Sequence, residues 1–225
     1  MSIITAQNIH KQFGTGNLAT IVLRDISLQV EPGEFLGIMG KSGAGKSTLL
    51  YQLSLLDTPS SGTVHIDGTD TGTLGETART SFRLNTLGYV FQDYALVPDL
   101  SAEENVLLPL LMRGEHWDAA RTAARQNLDA VGLANKYTNL PSELSGGEKQ
   151  RVAIARATIG APKILFADEP TANLDTTSGG TVIDLITRLN KEQGQTVVMV
   201  THEREYASGC DRILHMEDGA IVHED

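Results

Sequence analysis

Nowhere in the 225 residues does an apolar run approach the roughly 20 residues that a membrane-spanning helix needs. The opening stretch MSIITAQNIHKQFG lacks a basic segment followed by an apolar one, so no signal peptide is expected. Cysteine is nearly absent. Cys210 alone can form neither an intrachain disulfide nor a metal cluster, and a reducing compartment fits it. Basic blocks are missing too: no run of five basic residues occurs, and a net charge of −10 argues against a dedicated nucleic-acid binder. Low-complexity tracts, internal repeats and long linkers are likewise lacking. With 40% hydrophobic and 20% charged residues, the expectation is one ordinary globular domain over 1–225. Any service to a membrane must come through a partner.

What is present alternates β-branched, apolar segments with helical ones, the pattern of an α/β fold on a mainly parallel sheet. Strands are expected at Ile21 to Val30, Phe35 to Met39, Gly62 to Asp67, Ile164 to Ala167 and Thr196 to Val200. Arg212 to Met216 and Ala220 to Val222 read as a hairpin around Glu217-Asp218-Gly219. From about Ala102 to Gly160 the periodicity is helical. One helix is expected with Asp118 as its N-cap, Gly132 as its stop, and Ala124, Leu128 and Val131 on its inner face. A second should run from Ser145 to Gly160. The expected organisation is a nucleotide-binding core at 1–92 and 161–225, with a helical lobe at about 93–160.

Residues 40–48 read GKSGAGKST, a full match to the phosphate-loop pattern of Gly, four residues, Gly-Lys-Ser/Thr. The three glycines let backbone N–H groups converge on a β-phosphate, and the following helix adds its positive end. Lys46 supplies a point charge for the β- and γ-phosphates, and Ser47 a hydroxyl for magnesium. The loop as a whole, Gly40, Lys41, Ser42, Gly43, Ala44, Gly45, Lys46, Ser47 and Thr48, is the candidate nucleotide cradle. Lys41 holds a variable position and should face solvent.

Residues 164–170 read ILFADEP, an apolar strand ending in two acids where open α/β sheets bind ligands. Asp168 is the candidate magnesium ligand. Glu169 is the candidate general base for an attacking water, although one of the acids could instead cap the next helix. A guanine-specific enzyme would carry Asn-Lys-X-Asp. The nearest strings, Asn135-Lys136-Tyr137-Thr138 and Asn190-Lys191-Glu192-Gln193, lack the aspartate.

At Leu144 the chain reads LSGGEKQRVAIARA, which resembles the signature sequence of ABC ATPases. Other markers of that family follow in register from Ile3 to Val222. Gln92 in VFQDYALVP resembles the Q-loop, Asn173-Leu174-Asp175 the D-loop, and His202 in VTHE the switch histidine. Phe13 in KQFG stands where the family stacks an aromatic ring on adenine. The resemblance implies a P-loop ABC ATPase fold with a small antiparallel β subdomain. It also implies ATP and Mg2+ as ligands, Gln92 joining Ser47 and Asp168 at the metal, and Lys46, Glu169 and His202 as the catalytic set. Each of these residues has a blander reading as well. Phe13 could be a packed strand-end aromatic, His202 a strand-end histidine bonded to backbone, and Asp175 a helix cap. Two departures from the family stand out: phenylalanine replaces the usual tyrosine at 13, and glutamate the usual glutamine at 148. Ser145 and Glu148 together form a capping box.

The signature carries its own physical message. Ser145 starts a helix, and Gly146 and Gly147 leave its first N–H groups uncovered, making a second anion site. One chain needs only one phosphate cradle. The resemblance implies that two copies pack head to tail, Ser145, Gly146 and Gly147 of one completing the ATP site of the other, with Asp175 nearby. It further implies an integral membrane permease docking near Gln92 to Leu111, where Tyr94, Leu96, Val97 and Pro98 are apolar. The subunit would then be peripheral to the cytoplasmic side of the membrane. The strings QDYALVPDLSAEENVLLPLL and ADEPTANLD most resemble the branch serving macrolide and peptide export, lipoprotein release and haem export. Alternatives are a soluble ABC ATPase acting on DNA or ribosomes, and a nucleotide-gated regulator. No long heptad run or second cassette supports the first alternative, and intact Glu169 and His202 argue against the second.

Overall fold

The longest strand breaks its own alternation. β1 (Ile4–Phe13) buries Ile4 and Ala6, then skips to Ile9, because Asn8 sits at φ 49 and shifts the inward set by one residue. The Asn8 side chain bonds Asp25 at 2.8 Å, fixing the irregularity against the neighbouring strand. Simple period-two reading therefore passes this strand over. The computed structural model describes residues 1–225, the side chain of Asn17 excepted.

The chain divides into two compact units, one of 1–81 and 190–225, the other of 82–189. In the first, an antiparallel sheet runs in the order β2 (Thr20–Val30), β1, β4 (Ser61–Ile66), β5 (Thr69–Asp70). A second group centres on β3 (Phe35–Gly40), parallel to both β8 (Thr196–Val200) and β9 (Arg212–Glu217); β10 (Ala220–Glu224) closes the expected hairpin on β9. β8 is buried at every residue and β3 at all but Gly40, so both read as continuous apolar runs. Helix α1 (Lys46–Leu53) follows β3 directly.

In the second unit β6 (Leu87–Val90) pairs in parallel with β7 (Ile164–Asp168). Helices α3 (Ala102–Met112), α4 (Trp117–Ala130) and α5 (Gly146–Thr158) pack on one another, and the expected lobe at about 93–160 falls within this unit. The boundaries between units fall within α2 (Glu76–Thr86) and α6 (Thr176–Gln193); a short α7 (Arg204–Ala207) follows β8. Ala120, Ala124 and Leu128 of α4 are fully buried, as the inner face requires. The cap at its start is a correction. His116, not Asp118, precedes the first helical residue and makes no side-chain cap; Asp118 lies in the first turn, where its charge favours the positive helix end. Gly132 stops α4 at φ 75, its N–H bonded to the Asp129 carbonyl at 2.9 Å.

Candidate functional site

In the first unit, the turn from β3 to α1 can be made only by glycine at two points. A Cβ on Gly40 (φ 157) would lie 2.3 Å from the Met216 carbonyl oxygen, and one on Gly45 (φ 95) 2.9 Å from that of Val22. Gly43, at φ 81, has open space around it. Gly45 is also the N-cap of α1, so no side chain of that residue occupies the helix start. Lys46 is 5% exposed, and its Nζ donates to the Lys41 carbonyl at 3.1 Å, folding the ammonium back over the loop. Lys41, Ser42 and Gly43 are exposed, Ala44 is buried, and Ser47 and Thr48 are half-buried. Glycines at positive φ, a buried ammonium and a helix start without a side-chain cap are the features with which such a loop can receive a phosphate chain.

His202 leaves the sheet beside this loop. Ile38 of β3 is in register with Val200 of β8, and the Thr201 N–H donates to the Ile38 carbonyl at 3.1 Å. The exposed His202 and Gly40 thus lie at the carboxyl ends of adjacent parallel strands, where such sheets bind ligands. Phe13 ends β1 with its ring half-exposed and Lys11 Nζ 5.0 Å from the ring centroid. Cys210 is no part of this chemistry. Burial pushes its thiol up to about 12, which makes it unreactive.

The second unit repeats the strand-end arrangement. Val90 of β6 is opposite Ala167 of β7, so Gln92 and the Asp168–Glu169 pair emerge from the same ends of neighbouring parallel strands. Asp168 is 5% exposed and Tyr89 donates to it at 3.5 Å. Glu169 is half-buried and held at φ 43, an uncommon backbone for a glutamate.

The segment after Gln92 is fastened by residues whose targets sequence reasoning did not reveal. Asn173 donates to the Gln92 carbonyl at 3.2 Å and to Asp93 at 3.0 Å. Arg156 of α5 donates to the carbonyls of Tyr94 (2.8 Å) and Ala95 (2.6 Å), both of which take positive φ. Buried Asn105 of α3 bonds Val97 in both directions. Arg156 lies inside the quoted signature string, so its presence was legible but its target was not.

The signature helix begins as its motif requires. Ser145 is the exposed N-cap; its hydroxyl oxygen accepts from the Glu148 N–H at 3.3 Å, and Glu148 accepts from the Ser145 N–H at 2.9 Å. Lys136 pairs with the same carboxylate at 3.1 Å. Packing leaves little room at either glycine: a Cβ would lie 3.0 Å from the Tyr94 hydroxyl at Gly146 and 2.9 Å from the Ser178 Cβ at Gly147. Asp175 accepts from the Ser178 N–H (3.0 Å) and hydroxyl (2.8 Å), the geometry of a helix cap, and the Ser178 N–H holds its carboxyl below the usual range.

Comparisons with known proteins give the family. The family model described as ABC transporter matches residues 23–172. The chain is 46% identical over 218 residues to the lipoprotein-releasing system ATP-binding protein LolD of Bordetella pertussis, covering 97% of this chain and 94% of that one. It is 44% identical over 223 residues to the uncharacterized ABC transporter ATP-binding protein YbbA of Escherichia coli K12, covering 99% and 98%. Among solved structures, it matches the ATP-binding cassette MJ0796, a dimer in a post-hydrolysis state bound to ADP and Pi. That match has a TM-score of 0.92 and 38% identity, over 99% of this chain and 97% of that one.

Proposed function

The chain belongs to the ABC transporter family as an ATPase subunit, and from that premise we propose that it drives a separate membrane subunit by closing and opening as a head-to-tail dimer on ATP. The observation that carries this reading is the phosphate cradle: a glycine-only turn leading into an uncapped helix start, with Lys46 buried and folded over it. Dimeric assembly of the solved cassette supports the pairing, and the LolD relative supports a lipoprotein-release type of exporter.

Roles follow from the chemistry of each residue. The loop from Gly40 to Thr48 offers converging N–H groups, and Lys46 neutralises charge that builds on the γ-phosphate. Glu169 orients the attacking water and accepts its proton, while His202 holds the γ-phosphate side of the transition state. Phe13 stacks on the adenine. Ser47, Gln92 and Asp168 offer a hydroxyl, an amide and a carboxylate, all hard oxygen donors that suit Mg2+. Held by these residues, such an ion would supply charge neutralisation to the phosphate chain. In the second copy, the Ser145 hydroxyl and the Gly147 N–H meet the phosphate, with Gly146 keeping the approach open and Asp175 holding the neighbouring helix start.

Exposed Val97 and Pro98, beside a Q-loop fastened by Asn173, Arg156 and Asn105, support a permease contact at Gln92 to Leu111. Among the described residues, no helix is long and apolar enough to cross a membrane. A peripheral place at the cytoplasmic face, through that permease, follows from the reading.

The test is Glu169→Gln. Loss of the base should lower kcat about 10²–10⁴-fold and trap an ATP-bound dimer, read by light scattering after gel filtration with ATP and Mg2+. A variant that binds ATP yet stays monomeric sinks the dimer. Co-purification of an integral membrane protein that raises turnover tests the second half of the proposal.

A further inference from the structure

One charged side chain in the first unit is buried for no reason that the reaction supplies. Lys11 lies on β1 with only 11% of its side chain exposed. Burying an ammonium is costly unless every donor finds a partner. Here Nζ donates to Asp57 Oδ1 at 2.8 Å and to the Thr58 carbonyl at 2.7 Å, with Asp57 Oδ2 also 2.7 Å away. The same ammonium stands 5.0 Å from the Phe13 ring centroid, within cation–π range.

Asp57 has a second partner. Gln52, fully buried on α1, donates to Asp57 Oδ2 at 3.1 Å and to the Thr48 carbonyl at 3.2 Å. Burial would raise the Asp57 carboxyl, but bonds from Lys11, the Thr58 N–H and Gln52 hold it below the ordinary range, so the cluster stays charged. A continuous set of contacts therefore runs from the phosphate-loop helix through Gln52, Asp57 and Lys11 to the ring of Phe13.

We propose that Lys11 is a positioning residue for the nucleotide base: held by Asp57, it fixes the Phe13 ring at a set place relative to the helix that carries the phosphate cradle. The inference rests on the reading that Phe13 stacks on adenine. A phenylalanine has no hydroxyl with which to anchor itself, and a half-exposed ring left alone would lose rotamer freedom on binding. A cation placed over one part of the ring settles that orientation before ATP arrives.

Lys11→Met keeps the aliphatic stem and removes the charge. With full-length protein, ATP should bind about fivefold more weakly, with KM rising in step and kcat within about twofold. Inorganic tripolyphosphate, which has no base, should bind as before. In a Phe13→Ala background the Lys11 change should have no further effect on ATP affinity, and Lys11→Arg should restore most of it. If Lys11→Met does not fold, Asp57→Asn, which loosens the ammonium without removing it, should weaken ATP binding in the same direction. Equal loss for ATP and tripolyphosphate, or additive loss with Phe13→Ala, overturns the positioning role while leaving base stacking intact. A Phe13→Ala variant that binds ATP normally overturns the stacking reading itself, and this proposal with it.

Discussion

Two helices of this chain begin on glycine-rich turns, and they begin in opposite ways. At α1 the N-cap is Gly45 in the left-handed region, and no side chain of the cap bonds the helix start. At α5 the N-cap is Ser145 in extended backbone, and a reciprocal box with Glu148 occupies two N–H groups at once. The same box recurs at α3, where Ser101 and Glu104 exchange the equivalent bonds beneath the Q-loop. On the proposed function, the contrast separates two kinds of phosphate receptor. A helix whose cap residue has no side chain leaves room at its first turn for an outside anion. A helix that caps itself is stable alone and receives a phosphate only through what the box leaves over, here the glycine N–H groups.

Breaking the first receptor should cost most. Lys46→Ala removes the buried ammonium folded over the loop, and kcat/KM for ATP should fall about 100-fold, as expected for loss of a charged hydrogen bond worth up to about 3 kcal/mol. Turnover within about tenfold of the parent would show that the cradle does not depend on its lysine.

Filling the second receptor should cost less and in another parameter. Gly147→Ala drives a methyl to 2.9 Å from the Ser178 Cβ, so Ser178 must shift and its bonds with Asp175 must loosen. Turnover should fall about 10–100-fold, while ATP affinity of the monomer, set by the other turn, should stay within about twofold. Equal loss in both quantities would mean that the two turns are not independent receptors, and the contrast between them would collapse.

The phosphate cradle was legible because its geometry leaves the sequence no choice: Gly40 and Gly45 each face a carbonyl oxygen that any Cβ would strike. The Ser145–Glu148 box was legible for a similar reason, since its partners are three residues apart. The strand that carries Phe13 was not, because the slip at Asn8 destroys the alternation by which strands are read. Nor was the start of α4, where His116 precedes the helix without capping it. Least legible was the set of contacts behind Phe13. Lys11 and Asp57 are 46 residues apart, and only the pairing of β1 with β4, the turn of α1 and the Gln52 amide bring them together.

The smallest effect sharpens the comparison most, because it removes the self-cap while leaving the glycines alone. In Glu148→Gln an amide oxygen can still accept from the Ser145 N–H, but the charge opposite Lys136 is lost. The Ser145 N–H holds the Glu148 carboxyl below its usual range; partial burial opposes this, and Lys136 adds to the lowering. A carboxyl whose folded value is depressed contributes stability above its unfolded value, near pH 4.3, and loses it as pH falls through the folded value. At pH 7 the variant should therefore be less stable by about 0.5–1 kcal/mol, a modest figure because the Lys136 pair is partly screened by solvent. The difference, followed by urea unfolding at a series of pH values, should shrink below about pH 4 and vanish in stronger acid. ATP turnover should stay within about twofold, since the change leaves Ser145 and the Gly147 N–H in place for the ligand. A stability gap that is flat from neutral to acid pH would mean that Glu148 caps α5 as a shape and not as a charge. The second receptor would then differ from the first only in having a side chain at its cap.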